Sequence, residues 1–224
     1  MEGDTEPDPL RTWQGQFGQA YTARNRDETA SDVDEEYQRA FGTSKSALYE
    51  RFFSGLEKDA RILEVGCNVG VQLDLLAELG FENCVGIDVQ RGALVEPRHQ
   101  KSGRGLVQAD GRLLPFADAS FDCVFTVGVL IHIPPAQIDG VMDEITRCSR
   151  EYVYGCEYYA PEYVETVFRG ETGVMWKNDF ADRYRRERNL ALVDDVTLAY
   201  QGDDPYTVTD QFVSAFLLGQ GSQE

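Results

Sequence analysis

The stretch Arg61-Ile62-Leu63-Glu64-Val65-Gly66-Cys67-Asn68-Val69-Gly70 reads as an apolar strand over 61–65 that runs into a turn with glycines at 66 and 70. Behind it, Val71, Leu75, Leu76 and Leu79 share one face and predict a helix over 70–79. Val85-Gly86-Ile87-Asp88 makes a second apolar strand, over 83–88, ending in a carboxylate 88 − 64 = 24 residues after Glu64. Strand, glycine turn, helix, strand, acid is the layout of a nucleoside-binding, doubly wound α/β fold. The turn needs small residues because a ligand packs against its backbone. The acid, Asp88, sits where it can take two ribose hydroxyls, with Val89 beside it; a solvated strand-end aspartate is the alternative.

The same turn argues about which nucleoside. A dinucleotide site wants G-x-G-x-x-G, so that backbone can approach a pyrophosphate. Here Asn68 holds the central position and Glu64 precedes the first glycine. A carboxylate facing the pocket suits a cation and repels a pyrophosphate. S-adenosylmethionine carries an ammonium and a sulfonium and no phosphate. On Glu64, Gly66, Cys67, Asn68 and Gly70, the segment resembles motif I of the class I S-adenosylmethionine-dependent methyltransferases, and S-adenosylmethionine is the cofactor this implies.

A chain of 224 residues, 42% hydrophobic and 11% aromatic, fits one globular domain with an ample core. It has no apolar run of about 18 residues, so no membrane span is expected. Its first residues are acidic and unlike a signal peptide. Five scattered cysteines without C-x-x-C spacing predict reduced buried thiols in a cytoplasmic protein, with no metal site. The formal charge is −18, and 17 of the 21 basic residues are arginine. Such a surface suits high salt and points to a halophilic archaeal source, or more simply to an acidic protein of a high-GC genome. It disfavours nucleic acid as a partner.

Residues 1–9 read as a disordered acidic tail. Trp13, Phe17 and Tyr21, spaced by four, predict one helix over 10–25. The six acids from Asp27 to Glu36 suggest a solvated loop or a helix start, and Leu48, Phe52, Phe53 and Leu56 suggest a helix over 44–57 that packs under the sheet. Residues 10–57 are thus expected to form a helical lid or cap on a domain spanning 58–224. Further strands are expected at 105–109, 121–127, 151–157, 191–199 and 211–219. Further helices are expected at 90–101 (weak, interrupted by Pro97), 135–147 and 179–188, the last capped by Asp179. The last two strands have no helix between them and predict an antiparallel hairpin. A seven-stranded, mostly parallel sheet ending in such a hairpin is the methyltransferase pattern.

That resemblance implies further roles. Asp110 would read the adenine amino group, with Gly111 and Arg112 giving backbone contacts; an Asx-turn at Asp110 is the alternative. The strand end Thr126-Val127 and the loop Gly128 to Pro134 would pass the reactive methyl group. His132, in that loop, is either a general base or part of the pocket wall. His99 lies in a charged segment and reads as bland.

Three segments resemble a narrower family. They are Trp13-Gln14-Gly15-Gln16-Phe17-Gly18-Gln19-Ala20-Tyr21-Thr22-Ala23-Arg24-Asn25, then Gly128 to Ile133 with Asn68, and finally Glu157-Tyr158-Tyr159-Ala160-Pro161 followed by Phe168-Arg169-Gly170 and Trp176-Lys177-Asn178-Asp179-Phe180-Ala181. Together they resemble the methyltransferases associated with pseudaminic acid biosynthesis, over about residues 12 to 219. This implies a sugar-type small-molecule acceptor from surface-glycan assembly.

Tyr158, Tyr159, Arg169 and Lys177 are then candidates for the acceptor site, Arg169 binding a carboxylate or phosphate in bidentate fashion. Glu157 is a candidate base, or the partner of Arg169 in a structural ion pair. Trp13, Phe17 and Tyr21 either pack in the core or form a lid, with Tyr21 and Arg24 closing on the methionine end of the cofactor. Two rivals stand beside a methyltransferase: a nicotinamide-dependent oxidoreductase, and an S-adenosylmethionine-binding partner without turnover.

Overall fold

A computed structural model describes residues 9–95, 105–201 and 212–221. Seven strands make one sheet in the order β3-β2-β1-β4-β5-β9-β8, where β1 is Ile62–Val65, β2 Cys84–Asp88, β3 Gly105–Gln108, β4 Phe121–Val127, β5 Ser149–Tyr159, β8 Ala191–Ala199 and β9 Phe212–Gly219. The first five are parallel; β9 runs antiparallel between β5 and β8, which makes the expected terminal hairpin. All four residues of β1 are buried, as a parallel strand covered on both faces must be. The edge strand β8 exposes alternate residues instead, in keeping with its polar Asp194, Asp195 and Thr197.

The side-chain alternation of the strands feeds two cores. On one face, Ile62 and Phe125 pack with Leu48 and Phe52 of α4 (Lys45–Phe52), its C-cap Phe53, and Leu73 and Leu76 of α5 (Val71–Glu78). On the other, Leu63, Val65 and Val124 meet Ile138, Val141, Met142 and Ile145 of α7 (Ile138–Cys148), whose i, i+3, i+4, i+7 pattern makes one apolar stripe. Phe180 and Tyr184 of α8 (Phe180–Arg188) extend that layer, and Asp179 caps α8 by accepting from the Asp182 amide. The five cysteines are free and buried.

Four details correct or sharpen the expectations, and for the acid-rich segment the helix-start alternative holds. Residues 10–25 form two helices, α1 (Pro9–Gln14) and α2 (Gln16–Asn25), broken at Gly15. The acid-rich segment is a full helix, α3 (Ala30–Phe41). Thr29 and Asp32 form a reciprocal capping box at its start, so the acids sit where the helix dipole favours them. A small second sheet, β6 (Val164–Glu165) with β7 (Trp176–Lys177), projects after β5; two residues per strand are too short to show a period in sequence. The weak helix after β2 is a single turn, α6 (Arg91–Leu94). Pro97, His99, the tail over 1–8 and the start of the last strand at 211 lie outside the described residues.

Candidate active site

The carboxyl ends of the first five strands open onto one cleft of about 920 Å³. At the end of β1 the chain turns through three alternate left-handed positions: Gly66 (φ 80°), Asn68 (φ 44°) and Gly70 (φ 74°). At Gly66 a Cβ would lie 2.5 Å from Val129 Cγ2, so only glycine lets the loop after β4 pass this close. Asn68 tolerates its conformation as few other residues do.

Asp88 fixes this loop to β2. Its Oδ2 accepts from the Asn68 amide at 2.8 Å and its Oδ1 from the Gln90 amide at 2.7 Å. A carboxylate has about four acceptor sites, so capacity remains for two hydroxyls of a ligand. Burial pushes its carboxyl above the usual range, against the pull of those amides. Glu64 is buried below the loop, 2% exposed. Burial and then the charges of Glu64 and Asp88 push the Cys67 thiol well up, which shows how acidic this end of the cleft is.

Asp110 realises the Asx-turn: its Oδ1 accepts the Arg112 amide at 2.9 Å, and its carboxylate also takes the Arg112 side chain, with Nε–Oδ2 at 2.9 Å. Asp110, Gly111 and Arg112 all line the cleft. Burial raises the Asp110 pKa, and the Arg112 contacts outweigh that and lower it.

His132 lines the opposite wall, 8% exposed, at the end of a 3-10 turn over Leu130–His132. Its Nδ1 lies 2.6 Å from the Val174 carbonyl, which can only accept, so Nδ1 carries the proton and Nε2 keeps its lone pair. Burial pulls its pKa down to about 4. The ring packs against Trp13 (centroids 4.6 Å apart) and Phe168 (5.0 Å).

Glu157 departs from its expected roles. Alternation along β5 points it away from the cleft, and it makes no pair with Arg169 among the described residues. It is 1% exposed and accepts from the Val129 amide at 3.2 Å. Its second oxygen, Oε2, is buried without a hydrogen-bond partner among the described residues. Burial pushes its carboxyl up to about 7. Glu157 therefore positions the turn that carries His132 and does not face a ligand in the cleft. Thr126 stands beside it behind the wall, while Val127 reaches the cleft.

Tyr158, on the other face of β5, does line the cleft, whereas Tyr159 faces a separate small hollow beside Asp179 and Arg185. Lys177 is buried with its Nζ 5.9 Å from the Tyr158 ring centroid. Arg24 and Arg169 stand at the rim; they and Gly70 do not line the cavity, although Val89 and Tyr21 do.

Trp13 joins the reading of core to the reading of lid: it packs on Phe17 and Tyr21 of α2 and on His132 of the cleft wall. The helix is pinned to the cofactor loop by Thr22, whose Oγ1 lies 2.9 Å from Asn68 Oδ1 and 3.2 Å from Gln90 Oε1. Sequence reasoning passed over Thr22, Gln90, Glu36, Tyr37 and Tyr200, of which all but Thr22 line the cavity. The period Val33-Tyr37-Phe41 in the acid-rich segment would have given α3 and with it Tyr37; nothing local marks the others.

Comparison with known proteins fits this geometry. The family model described as a methyltransferase domain matches residues 63–152. That match likens the region from β1 to the start of β5 to a methyltransferase domain. The methyltransferase GfsG of Streptomyces halstedii is 34% identical over 109 residues, 46% of this chain and 38% of that protein. A sterol 24-C-methyltransferase of Yarrowia lipolytica is 25% identical over 179 residues, 72% of this chain and 45% of that protein. The chain spans about half or less of the length of the curated relatives it matches. Among solved structures, an S-adenosylmethionine-dependent methyltransferase of Methanosarcina mazei superposes with a TM-score of 0.62 at 17% identity, covering 77% of this chain and 97% of that one. The fold is that of the class I methyltransferases, and the cofactor that goes with this domain is S-adenosylmethionine. Glu64 and Asp88, with the left-handed loop between them, fit it, since they offer carboxylates and open backbone to a cationic nucleoside.

Proposed function

We propose that the chain is an S-adenosylmethionine-dependent methyltransferase acting on oxygen of a small polar acceptor, a sugar or sugar nucleotide of surface-glycan assembly. One observation carries this: a single cavity holds an acidic nucleoside end, at Glu64, Asp88 and Asp110, and a histidine with a free lone pair, His132. The cofactor supplies an activated methyl group when bound. The chain's own work is to orient the acceptor and hold its proton. Positioning can contribute about 7–11 kcal/mol. His132 Nε2 takes the proton of an acceptor hydroxyl; a carboxylate acceptor needs no base.

The wall beyond His132 supports a polar acceptor. Tyr21, Tyr37, Tyr158 and Tyr200 present phenols, and Glu36 a carboxylate, to the same space. Phenol rings stack on sugar faces while their hydroxyls bond sugar hydroxyls. Tyr158 forms the inner part of this acceptor side, and Lys177 backs its ring from outside the cavity lining. Among the described residues no helix is long and apolar enough to cross a membrane.

The test is incubation with methyl-tritiated S-adenosylmethionine and a panel of sugar nucleotides, free sugar acids and a sterol, followed by partition of the label between water and organic solvent. Label in water with a sugar substrate is the expected result. Label that follows only the sterol would move the acceptor to the class that the sterol-methylating relatives suggest. Reduced nicotinamide consumption, read near 340 nm, would instead favour an oxidoreductase.

A further inference from the structure

Two guanidinium groups stand at the rim of the cleft on separate flaps. Arg24 lies at the end of α2, with its Cζ 5.6 Å from the Tyr21 ring centroid. Arg169 lies at the tip of the β6–β7 excursion, with its Cζ 5.5 Å from the Phe168 ring centroid. A tight turn sets it there: Phe168 and Glu171 exchange both backbone hydrogen bonds, at 2.9 and 3.0 Å. Arg169 itself is left-handed (φ 53°), a conformation that non-glycine residues occupy at a cost and that clusters at functional sites.

The two flaps meet through rings. Tyr21 packs on Trp13 at 5.4 Å, Trp13 on His132 at 4.6 Å and His132 on Phe168 at 5.0 Å. The guanidiniums thus flank an aromatic row with the reactive histidine near its middle. They are close enough for the charge of Arg169, after burial, to pull Arg24 below the usual guanidinium range. Neither has a carboxylate partner among the described residues. This contrasts with Arg51, Arg112, Arg147 and Arg188, each of which holds at least one acid. In a chain with 39 acids against 21 bases, two neighbouring arginines that hold no acid among the described residues keep their donors for an outside anion, while the Glu28 carboxylate acts on the Tyr21 phenol beside them. Deeper in, Lys177 is a third cation, 8% exposed and also without a carboxylate among the described residues.

Resting on the acceptor reading above, we propose that Arg24 and Arg169 form a clamp for an oxyanion carried by the acceptor, a carboxylate or a phosphate, and that this anion latches α2 to the β6–β7 excursion over the cleft. A guanidinium binds either group with two parallel hydrogen bonds. Without the anion, the two like charges work against the ring contacts that join the flaps. With it, each flap donates to the same group, and water is shut out of the space in front of His132. Acceptor binding and closure are then one step, and a neutral sugar of the same shape leaves the cleft open.

Hydrogen exchange read by mass spectrometry tests this on the whole protein saturated with S-adenosylhomocysteine. Glucuronate, glucose 1-phosphate and glucose are added in turn. At least one of the two anions should slow exchange about fivefold or more in both 16–25 and 164–177, and glucose should not. The anion that acts identifies the source of the oxyanion. Arg169→Gln should abolish the added protection and Arg24→Gln should weaken the anion about tenfold, with S-adenosylhomocysteine affinity changed less than about twofold. Arg61→Gln is the control: that guanidinium also stacks on a ring, Phe121, at 5.3 Å, but at the opposite end of the sheet. No added protection from either anion, or protection that survives Arg169→Gln, overturns the clamp. So does a loss of S-adenosylhomocysteine affinity in Arg24→Gln, because the clamp would then hold the cofactor's own carboxylate. If the wild type does not bind S-adenosylhomocysteine, the proposed function fails instead; the anion titration, run also without cofactor, reads the clamp alone.

Discussion

Glu157 and His132 should give the stability curve of this protein two opposed slopes that cancel in the wild type. Burial lowers His132 from 6.5 to about 4 and raises Glu157 from 4.5 to about 7. For His132 the folded value is the lower one, so its contribution is present above pH 6.5 and is lost as pH falls toward 4. For Glu157 the folded value is the higher one, so its contribution is present below pH 4.5 and is lost as pH rises through 7. Each shift of about 2.5 pH units corresponds to about 3 kcal/mol. Between pH 4.5 and 6.5 the unfolded pair carries one proton, on the histidine, and the folded pair also carries one, on the glutamate. The two together therefore give no slope in that window. Glu157→Gln removes one side. Its unfolding free energy minus that of the wild type should rise by about 3 kcal/mol from pH 4.5 to 7. His132→Asn removes the other, and its difference should rise by about 3 kcal/mol as pH falls from 6.5 to 4. Urea unfolding at half-unit pH steps measures both, and subtraction removes the remaining carboxylates. Two difference curves flat in pH would refute the argument, since they would mean that neither side chain is held in the protonation state its burial imposes.

Asp88→Ala should weaken S-adenosylhomocysteine by about 1–3 kcal/mol in calorimetry, because ribose hydroxyls lose their acceptor and two loop amides lose theirs; an unchanged affinity would remove Asp88 from the site. His132→Ala should cut turnover by about 10²–10⁴ while leaving cofactor affinity nearly intact. Equal losses in both would make the histidine a wall residue only. Gly66→Ala should lower stability by about 1–3 kcal/mol, since a methyl group 2.5 Å from Val129 forces the two loops apart at a left-handed position; a melting temperature within a degree of wild type would contradict the contact. Raising potassium chloride from 0.1 to 2 M should raise the melting temperature by several degrees if self-repulsion of the −18 charge is what limits stability. A fall would argue against a high-salt habitat.

The parallel sheet was legible because its central strands β1 and β4 are buried on both faces and so read as apolar runs, with Glu64, Asp88 and Asp110 at or near the ends of the first three strands. The loop chemistry was legible for the same reason that it is constrained: glycine at 66 and asparagine at 68 answer to backbone angles, which are local. Glu157 was misassigned because a charged residue inside an apolar strand signals burial without telling which face it occupies. One residue along, Tyr158 faces the cleft. The acid-rich helix was obscured because charge dominates its composition, whereas the capping box at Thr29 and the apolar positions Val33, Tyr37 and Phe41 fix it. The cleft wall draws Tyr37 from α3 and Tyr200 from just after β8, and no sequence spacing relates two such positions.

The hydroxyl of Thr22 has a single proton and two amide neighbours, on Asn68 and Gln90, both of which line the cleft and belong to the loops that would cradle a nucleoside there. The same cradle thus carries the underside of α2. On the proposed function, spent cofactor leaving by that side would first unseat a helix near the beginning of the chain, and the pace of product exit would be written in residues that never meet the methyl group. Shortening the chain from its amino end past this threonine would be felt as a leakier grip on adenosine rather than as a loss of chemistry.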